Sequence, residues 1–451
     1  MFGHRLVQFF MCLALLSFND SPADEARRSG DAVVPGMIIY RGNLFVALPK
    51  LEQWFGIVVE GASGVSIDGG AWKFLNGGQG VRLPGGEEKT LAYSLLYLNG
   101  VGYLDGKDAQ SLFGIKSSGK SVAFRGMRIA VNAIPLRSNY LNHKVTALSA
   151  VNTAIRLIAD VKARAALHAS SPEIKLNAGS VYIVRRKAVI DGIRYAILTD
   201  AGLDPVSIIV KEEDLKGKFE QAGLDKTIWQ QRTIWFRKAA GMEQGLHNGE
   251  GSRLPKSFAV TVDLCWSTHP FEKDFLMNLP AKQSGSVSTT LFVCGRWVEQ
   301  HPTEMEALLD LEPKGANLIW GLHSWVHPIS GGFMNGLSAA AVQEDTLRVE
   351  RELLEWGVVP TVYYRFPGLV HDTERLSAIL DLGLLPIDCD AWVAVQGTDH
   401  PYGHAIQDGS IVLVHGNGNE PQGIARFEAW LAAHPDWKWK PLPDFLPHPA
   451  Q

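Results

Sequence analysis

The residues best able to do chemistry in this chain stand at the ends of short apolar stretches in its C-terminal half. SFAVTVD ends on Asp263, STTLFVC on Cys294, NLIWGLH on His323, TVYYR on Arg365, LLPIDCD on Asp388 and Asp390, and SIVLVH on His415. Each stretch is apolar and largely β-branched or aromatic, the composition of a buried strand. Taken singly, each terminal residue has a plain structural explanation: Asp263 a helix cap, Arg365 a surface charge, His415 a satisfied core imidazole. Their recurrence at equivalent positions points to a common site. His323 and His327 add a second feature. Four residues apart, they would project from the same face of one helical turn. That pair is a workable bite for a divalent ion, zinc first, with cobalt or another divalent ion as alternatives.

The stretch TVDLCWS at residues 261–267 holds one carboxylate where general base and metal ligand would each need one. Leu264 follows Asp263 and cannot coordinate. Three arrangements are open. Asp263 ligates the metal and another group is the base. Cys265 supplies a thiolate, although strand alternation puts it on Asp263's side and not in Leu264's direction. Or the two histidines and water hold the ion alone.

Helical patterns separate the apolar stretches: RWVEQHPTEMEALLDL, SAAAVQEDTLRVERELLEWG and ERLSAILDLG. This alternation predicts an α/β domain with a parallel sheet, open or closed into a barrel. Such a sheet presents ligands at the C-terminal ends of its strands.

In order along the chain, TVDL, HSWVHP, RFPG, DCDAW and LVH resemble the five motifs of the NodB-type polysaccharide deacetylases, carbohydrate esterase family four. They span residues 258 to about 420. The resemblance implies a distorted (β/α) barrel. It implies metal-assisted hydrolysis of a carbon–nitrogen bond, removing N-acetyl groups from an amino-sugar polysaccharide such as peptidoglycan. It makes Asp263 the general base and Arg365 the group that keeps it ionised and oriented. It makes His323 and His327 metal ligands, and His415 the acid that protonates the leaving amine, with Asp390 or Asp388 orienting it. Backbone N–H groups after Pro367, at Gly368 and beyond, would stabilise the oxyanion. Trp392 would wall the sugar or acetyl group. Two positions depart from the family pattern: Leu264 replaces the aspartate that ligates metal, and Ala391 replaces the carboxylate beside the tryptophan. These departures motivate a rival reading, a catalytically degenerate barrel that binds cell-wall glycan.

The preceding residues read as smaller modules. Residues 1–23 have a basic start and an apolar run, the layout of a secretory signal peptide, which places the protein outside the cell or in the periplasm. Within residues 33–130, two α+β units repeat at a shift of 58, aligning Phe55-Gly56-Ile57 with Phe113-Gly114-Ile115. They resemble the copper-amine-oxidase-type N-terminal repeat, and the absence of a histidine cluster there argues against copper. Residues 150–216 read as a β-rich module resembling a small bacterial Src-homology-type barrel. Residues 217–256 read as a linker, and 257–447 as the deacetylase-like domain.

Composition narrows the partners. The chain is 46% hydrophobic and 20% charged, with a net charge of −4. It lacks a basic patch, which argues against nucleic acid. No run after the N-terminal one is long and apolar enough to cross a bilayer. Three cysteines remain after residue 23, an odd number that does not make a disulfide framework, although Cys265 and Cys294 could pair. The sequence leaves the oligomeric state open.

Overall fold

The structure, a computed structural model, describes residues 35–445 except 61–63, 68–69, 76–78, 99–100, 137, 169–170, 201–206, 223–253, 268–270, 280–287, 329–331, 390, 393–405 and 419–420. The segment read as a signal peptide, most of the linker, and Asp390 lie outside the described residues.

The C-terminal domain is organised by strand β1, Ser257–Leu264, whose eight residues are all buried. Alternation divides its side chains. Phe258, Val260, Val262 and Leu264 join the large cluster beneath the helices, while Ala259 packs inward with Phe292, Tyr363, Ile387 and Ile411. Burying each large apolar side chain contributes roughly 1.5–3 kcal/mol, which fixes the strand's register and therefore the face on which Asp263 lies. The other strands are β2 (Thr289–Val293), β3 (Leu318–Leu322), β4 (Tyr363–Tyr364), β5 (Leu385–Pro386), β6 (Ala391–Trp392), β7 (Ser410–His415) and β8 (Lys438–Trp439). They pair in parallel in the order β5-β4-β3-β2-β1-β7-β6, with β8 also on β1.

The two edges of this path, β5 and β6, are consecutive in the chain. Only residues 387–390 separate them, a reach of about 17 Å at most. The sheet must therefore curl until its edges nearly meet, although no β5–β6 pairing closes it among the described residues. The expected parallel α/β architecture is present as a curled, incompletely closed sheet.

The helices follow the sequence pattern with one difference. The stretch RWVEQHPTEMEALLDL is two helices, α1 (Gly295–Gln300) and α2 (Pro302–Leu309), broken at His301. Pro302 has no N–H to continue the ladder and is suited to a first helical turn. Helix α3 (Ala339–Glu355) starts at Ser338, whose hydroxyl accepts from Ala341 N–H, and α4 (Thr373–Asp381) starts at Asp372, whose carboxylate accepts from Arg375 N–H.

Two β-containing units precede this domain. In the first, Asn43–Ala47 and helix Leu48–Phe55 correspond in order to Val101–Asp105 and helix Gly106–Phe113. Each helix ends on a left-handed glycine, Gly56 at φ 66° and Gly114 at φ 73°. A side chain there would be strained, so both helices stop at the same point. The second unit is an antiparallel sheet of seven strands running from Val145–Leu157 to Phe219–Gln221.

Both units are fastened to α3. Arg41 forks onto Glu352, with Nη1 donating to Oε2 at 3.1 Å and Nη2 to Oε1 at 2.5 Å. Arg186 donates to Glu350 through Nε at 2.6 Å and Nη2 at 3.0 Å, and Arg185 Nη1 bonds the same carboxylate. All three members of the second cluster are at most 1% exposed. Removing one member of a buried ion cluster strands the rest at a cost of about 3–5 kcal/mol. Glu350→Ala should thus lower the urea midpoint for unfolding of the C-terminal half. An unchanged midpoint would show that the cluster does not secure the second unit to α3.

Candidate active site

The curled sheet brings the strand ends together at one mouth, and Asp263 lies at its centre, 2% exposed. A carboxylate so buried must be paired to stay charged. Arg365, fully buried, supplies the pair: its Nη1 donates to Asp263 Oδ1 at 2.7 Å and to Thr261 Oγ1 at 2.8 Å. Its remaining donors are also engaged, Nε with Ile387 carbonyl at 3.0 Å and Nη2 with Asp388 carbonyl at 2.8 Å, and the guanidinium lies 4.2 Å over the Phe292 ring. Burial opposes ionisation of Asp263, but Arg365, His323 and His415 outweigh it and hold the carboxyl below the usual carboxylate range.

His323 is 1% exposed. Its Nδ1 donates to Arg365 carbonyl at 2.9 Å, so that bond sets the tautomer and leaves the Nε2 lone pair directed into the site, 3.6 Å from Asp263 Oδ2. His327 is partly buried, with its ring centre 4.8 Å from that of His323. Its Nδ1 is shielded from solvent and has no hydrogen-bond partner. Burial, then the neighbouring His323, push the His327 pKa down to about 3, so the ring is neutral at working pH and able to donate a lone pair.

These histidines do not lie on a helical turn. Ser324 and His327 have φ of 61° and 44°, so the segment leaves β3 as a tight loop. Its shape is imposed from several sides. The Ser324 hydroxyl accepts from His327 N–H at 2.8 Å, and the Asp345 carboxylate of α3 accepts from Trp325 N–H at 2.6 Å and Val326 N–H at 3.2 Å. Trp325 packs so closely on Gly295 that a Cβ there would fall 2.1 Å from its ring. The result is the convergence expected from the four-residue spacing, reached by a different backbone.

Leu264 points away from the mouth, into the core under the helices. Cys265 continues the Asp263 side of the strand, and its Sγ with one ring nitrogen each of His323 and His327 form a set within 4.8 Å of one another. The fit to a divalent ion is good: two neutral imidazoles, one with an otherwise unused buried nitrogen, and a sulfur donor at the same spot. Cys265 and Cys294 are not bridged. Cys294 instead donates from Sγ to Trp325 carbonyl at 3.1 Å, and burial pushes its thiol up to about 11.

The other expected residues fall as follows. His415 ends β7 directly beside Asp263 in the β1–β7 register, and Trp392 on β6 has its ring 5.3 Å from that imidazole. Pro367 and Gly368 form a short turn after Arg365. Within it, Leu369 and Val370 N–H groups donate to the Phe366 and Pro367 carbonyls. Asp388 is fully buried with its carboxylate 4.0 Å from His371 Nε2. Asp390 lies outside the described residues. Sequence reasoning missed Asp345 and Asn417. The latter donates from Nδ2 to Cys265 carbonyl at 3.2 Å, pinning the turn after β1. Neither stands at a strand end, so the pattern that found the rest passes over them.

Residues 251–387 match the model of the family described as polysaccharide deacetylase, so this part of the chain is a domain of that kind. The match includes Asp263, His323, His327, Arg365, Pro367 and Gly368, and stops before Trp392 and His415. Among solved structures, the chain is similar to a family 4 carbohydrate esterase from Bacillus anthracis, at 22% identity and TM-score 0.36, covering 48% of this chain and 90% of that one. It is also similar to a chitin deacetylase from Colletotrichum lindemuthianum, at 20% identity and TM-score 0.35, covering 45% and 90%. A third similarity is to a family 4 pseudoenzyme from Bacillus anthracis, at 17% identity and TM-score 0.33, covering 43% and 66%.

The buried imidazoles carry a stability consequence in the metal-free protein. Unfolded histidines take up protons below about pH 6.5, whereas folded His327 does so only near pH 3. Between these values the unfolded state binds more protons, so stability rises with pH and is lost as pH falls. Urea midpoints should increase from pH 5 to pH 7, and His327→Gln should flatten that slope. An identical slope in the variant would contradict the burial of this ring.

Proposed function

We propose that the domain is a metal-dependent hydrolase that removes N-acetyl groups from an amino-sugar polysaccharide, with peptidoglycan the favoured substrate. The supporting observation is a buried carboxylate held ionised by Arg365, next to two neutral imidazoles that each bring a ring nitrogen to within 4.8 Å of the other and of the Cys265 sulfur. His323 and His327 would hold a divalent ion, zinc first among candidates. When bound, such an ion supplies polarisation of the amide carbonyl and a lowered pKa for water.

Asp263 takes the proton from the attacking water, and its ion pair with Arg365 keeps it from being protonated in advance. Gly368 N–H, in the turn after Arg365, would meet the developing oxyanion. His415 gives a proton to the sugar nitrogen as the carbon–nitrogen bond breaks, so water and the acetamide become acetate and a free amine. Trp392, its ring tilted beside that of His415, offers an apolar wall to the acetyl methyl or the sugar face.

The apolar N-terminal run supports export to the periplasm or beyond, and the N-terminal units are suited to holding the enzyme at a wall. No helix among the described residues is long and apolar enough to cross a membrane.

Acetate release from N-acetylglucosamine oligomers and from peptidoglycan is the direct assay. Wild type should release acetate after zinc or cobalt loading and stop under a chelator. Asp263→Asn should lose about 10²–10⁴ in kcat while remaining folded. Glycan binding with no acetate release from any metal-loaded wild-type sample would replace this reading with that of a binding module.

A further inference from the structure

We propose that the metal centre of this chain is a thiolate–bis-imidazole site, with Cys265 as the third protein ligand in place of a carboxylate. The inference rests on the metal-dependent reading above and specifies the chemistry of the same site. Leu264 is committed to the core, and Asp263 is committed to Arg365 through Oδ1. Cys265 is the residue next along β1's inward face, and its sulfur reaches the imidazoles to within 4.8 Å. A tetrahedral zinc-type ion bound to one sulfur and two nitrogens spaces its donors by roughly 3.3–3.8 Å. Side-chain rotations that draw the three donors inward by about 1 Å complete that geometry.

The turn bearing Cys265 is held in place by two hydrogen bonds. Asn417 donates to the Cys265 carbonyl, and Trp266 Nε1 donates to the His327 carbonyl at 3.1 Å, tying the sulfur-bearing turn to the histidine loop. The His327 Nδ1, shielded from solvent and without a hydrogen-bond partner, is a separate observation that leaves a nitrogen of this ring available to a ligand. On binding, the thiol proton leaves to solvent and the ion takes the sulfur lone pair. Two consequences follow. Asp263 is spared from ligation and remains the base. The site prefers thiophilic ions such as zinc, cobalt and cadmium over manganese or magnesium, which favour oxygen donors.

The test is cobalt titration of the metal-free full chain, read by absorption, with acetate release measured on the same samples. Wild type should bind one cobalt with a thiolate-to-cobalt charge-transfer band in the near ultraviolet. Cys265→Ser should lose that band and weaken zinc or cadmium binding at least about 100-fold, since even indirect support of a metal site is worth 10–100-fold. Cys265→Asp should bind cobalt without the band and shift preference towards manganese, which guards against simple misfolding. Asp263→Asn should keep the band. Stoichiometric cobalt without the band in wild type, and undiminished binding by Cys265→Ser, overturns the thiolate ligand and leaves metal-dependent hydrolysis standing. A clear band with no acetate release does the reverse. A wild-type chain that binds no cobalt overturns both.

Discussion

The ion pair between Asp263 and Arg365 is the interaction on which the rest of the site depends. An uncompensated carboxylate at this depth would cost several kcal/mol or would protonate. Arg365 prevents both, and in doing so it joins the sheet across its width. Its donors reach β1 at Thr261 and Asp263 and the segment after β5 at Ile387 and Asp388, while its face rests on Phe292 of β2. Its own carbonyl then fixes the tautomer of His323. One residue thus holds the Asp263 carboxylate ionised, fixes the direction of an imidazole lone pair and links strands across the curled sheet. A lysine could not do this, because the work depends on a planar fork with donors in several directions.

Helix α3 carries the second level of organisation. Asp345 shapes the histidine loop, Glu350 receives Arg185 and Arg186, and Glu352 receives Arg41. The same helix therefore holds the His323–His327 loop and both N-terminal units. A further contact runs from the first unit to the turn after β1: Tyr97 stacks on His301 at 5.3 Å, and His301 Nε2 meets the Ser267 carbonyl at 3.0 Å. The N-terminal units pack against the elements that hold the Cys265 turn and the His323–His327 loop.

Much of the sheet was legible because buried parallel strands leave a simple mark, an apolar run ending on a polar residue. That mark located Asp263, His323, Arg365 and His415, and the structure brings them to one mouth. It did not reveal the conformation around His327, because positive φ at Ser324 and His327 is enforced by Asp345 and Gly295, which are remote in sequence. The two-helix break at His301 could have been read from Pro302. The position of Cys265 followed from alternation, but alternation alone could not say that the histidine loop would come down over it. Its proximity depends on how β3 and β1 terminate relative to one another, which is set by register.

The central claim is that these strand ends form a metal centre despite Leu264. Elemental analysis of the purified protein beside His323→Ala tests it most directly. The expected result is close to one zinc, or an equivalent divalent ion, per wild-type chain and little in the variant. Equal and negligible metal in both, persisting after loading and dialysis, would contradict it.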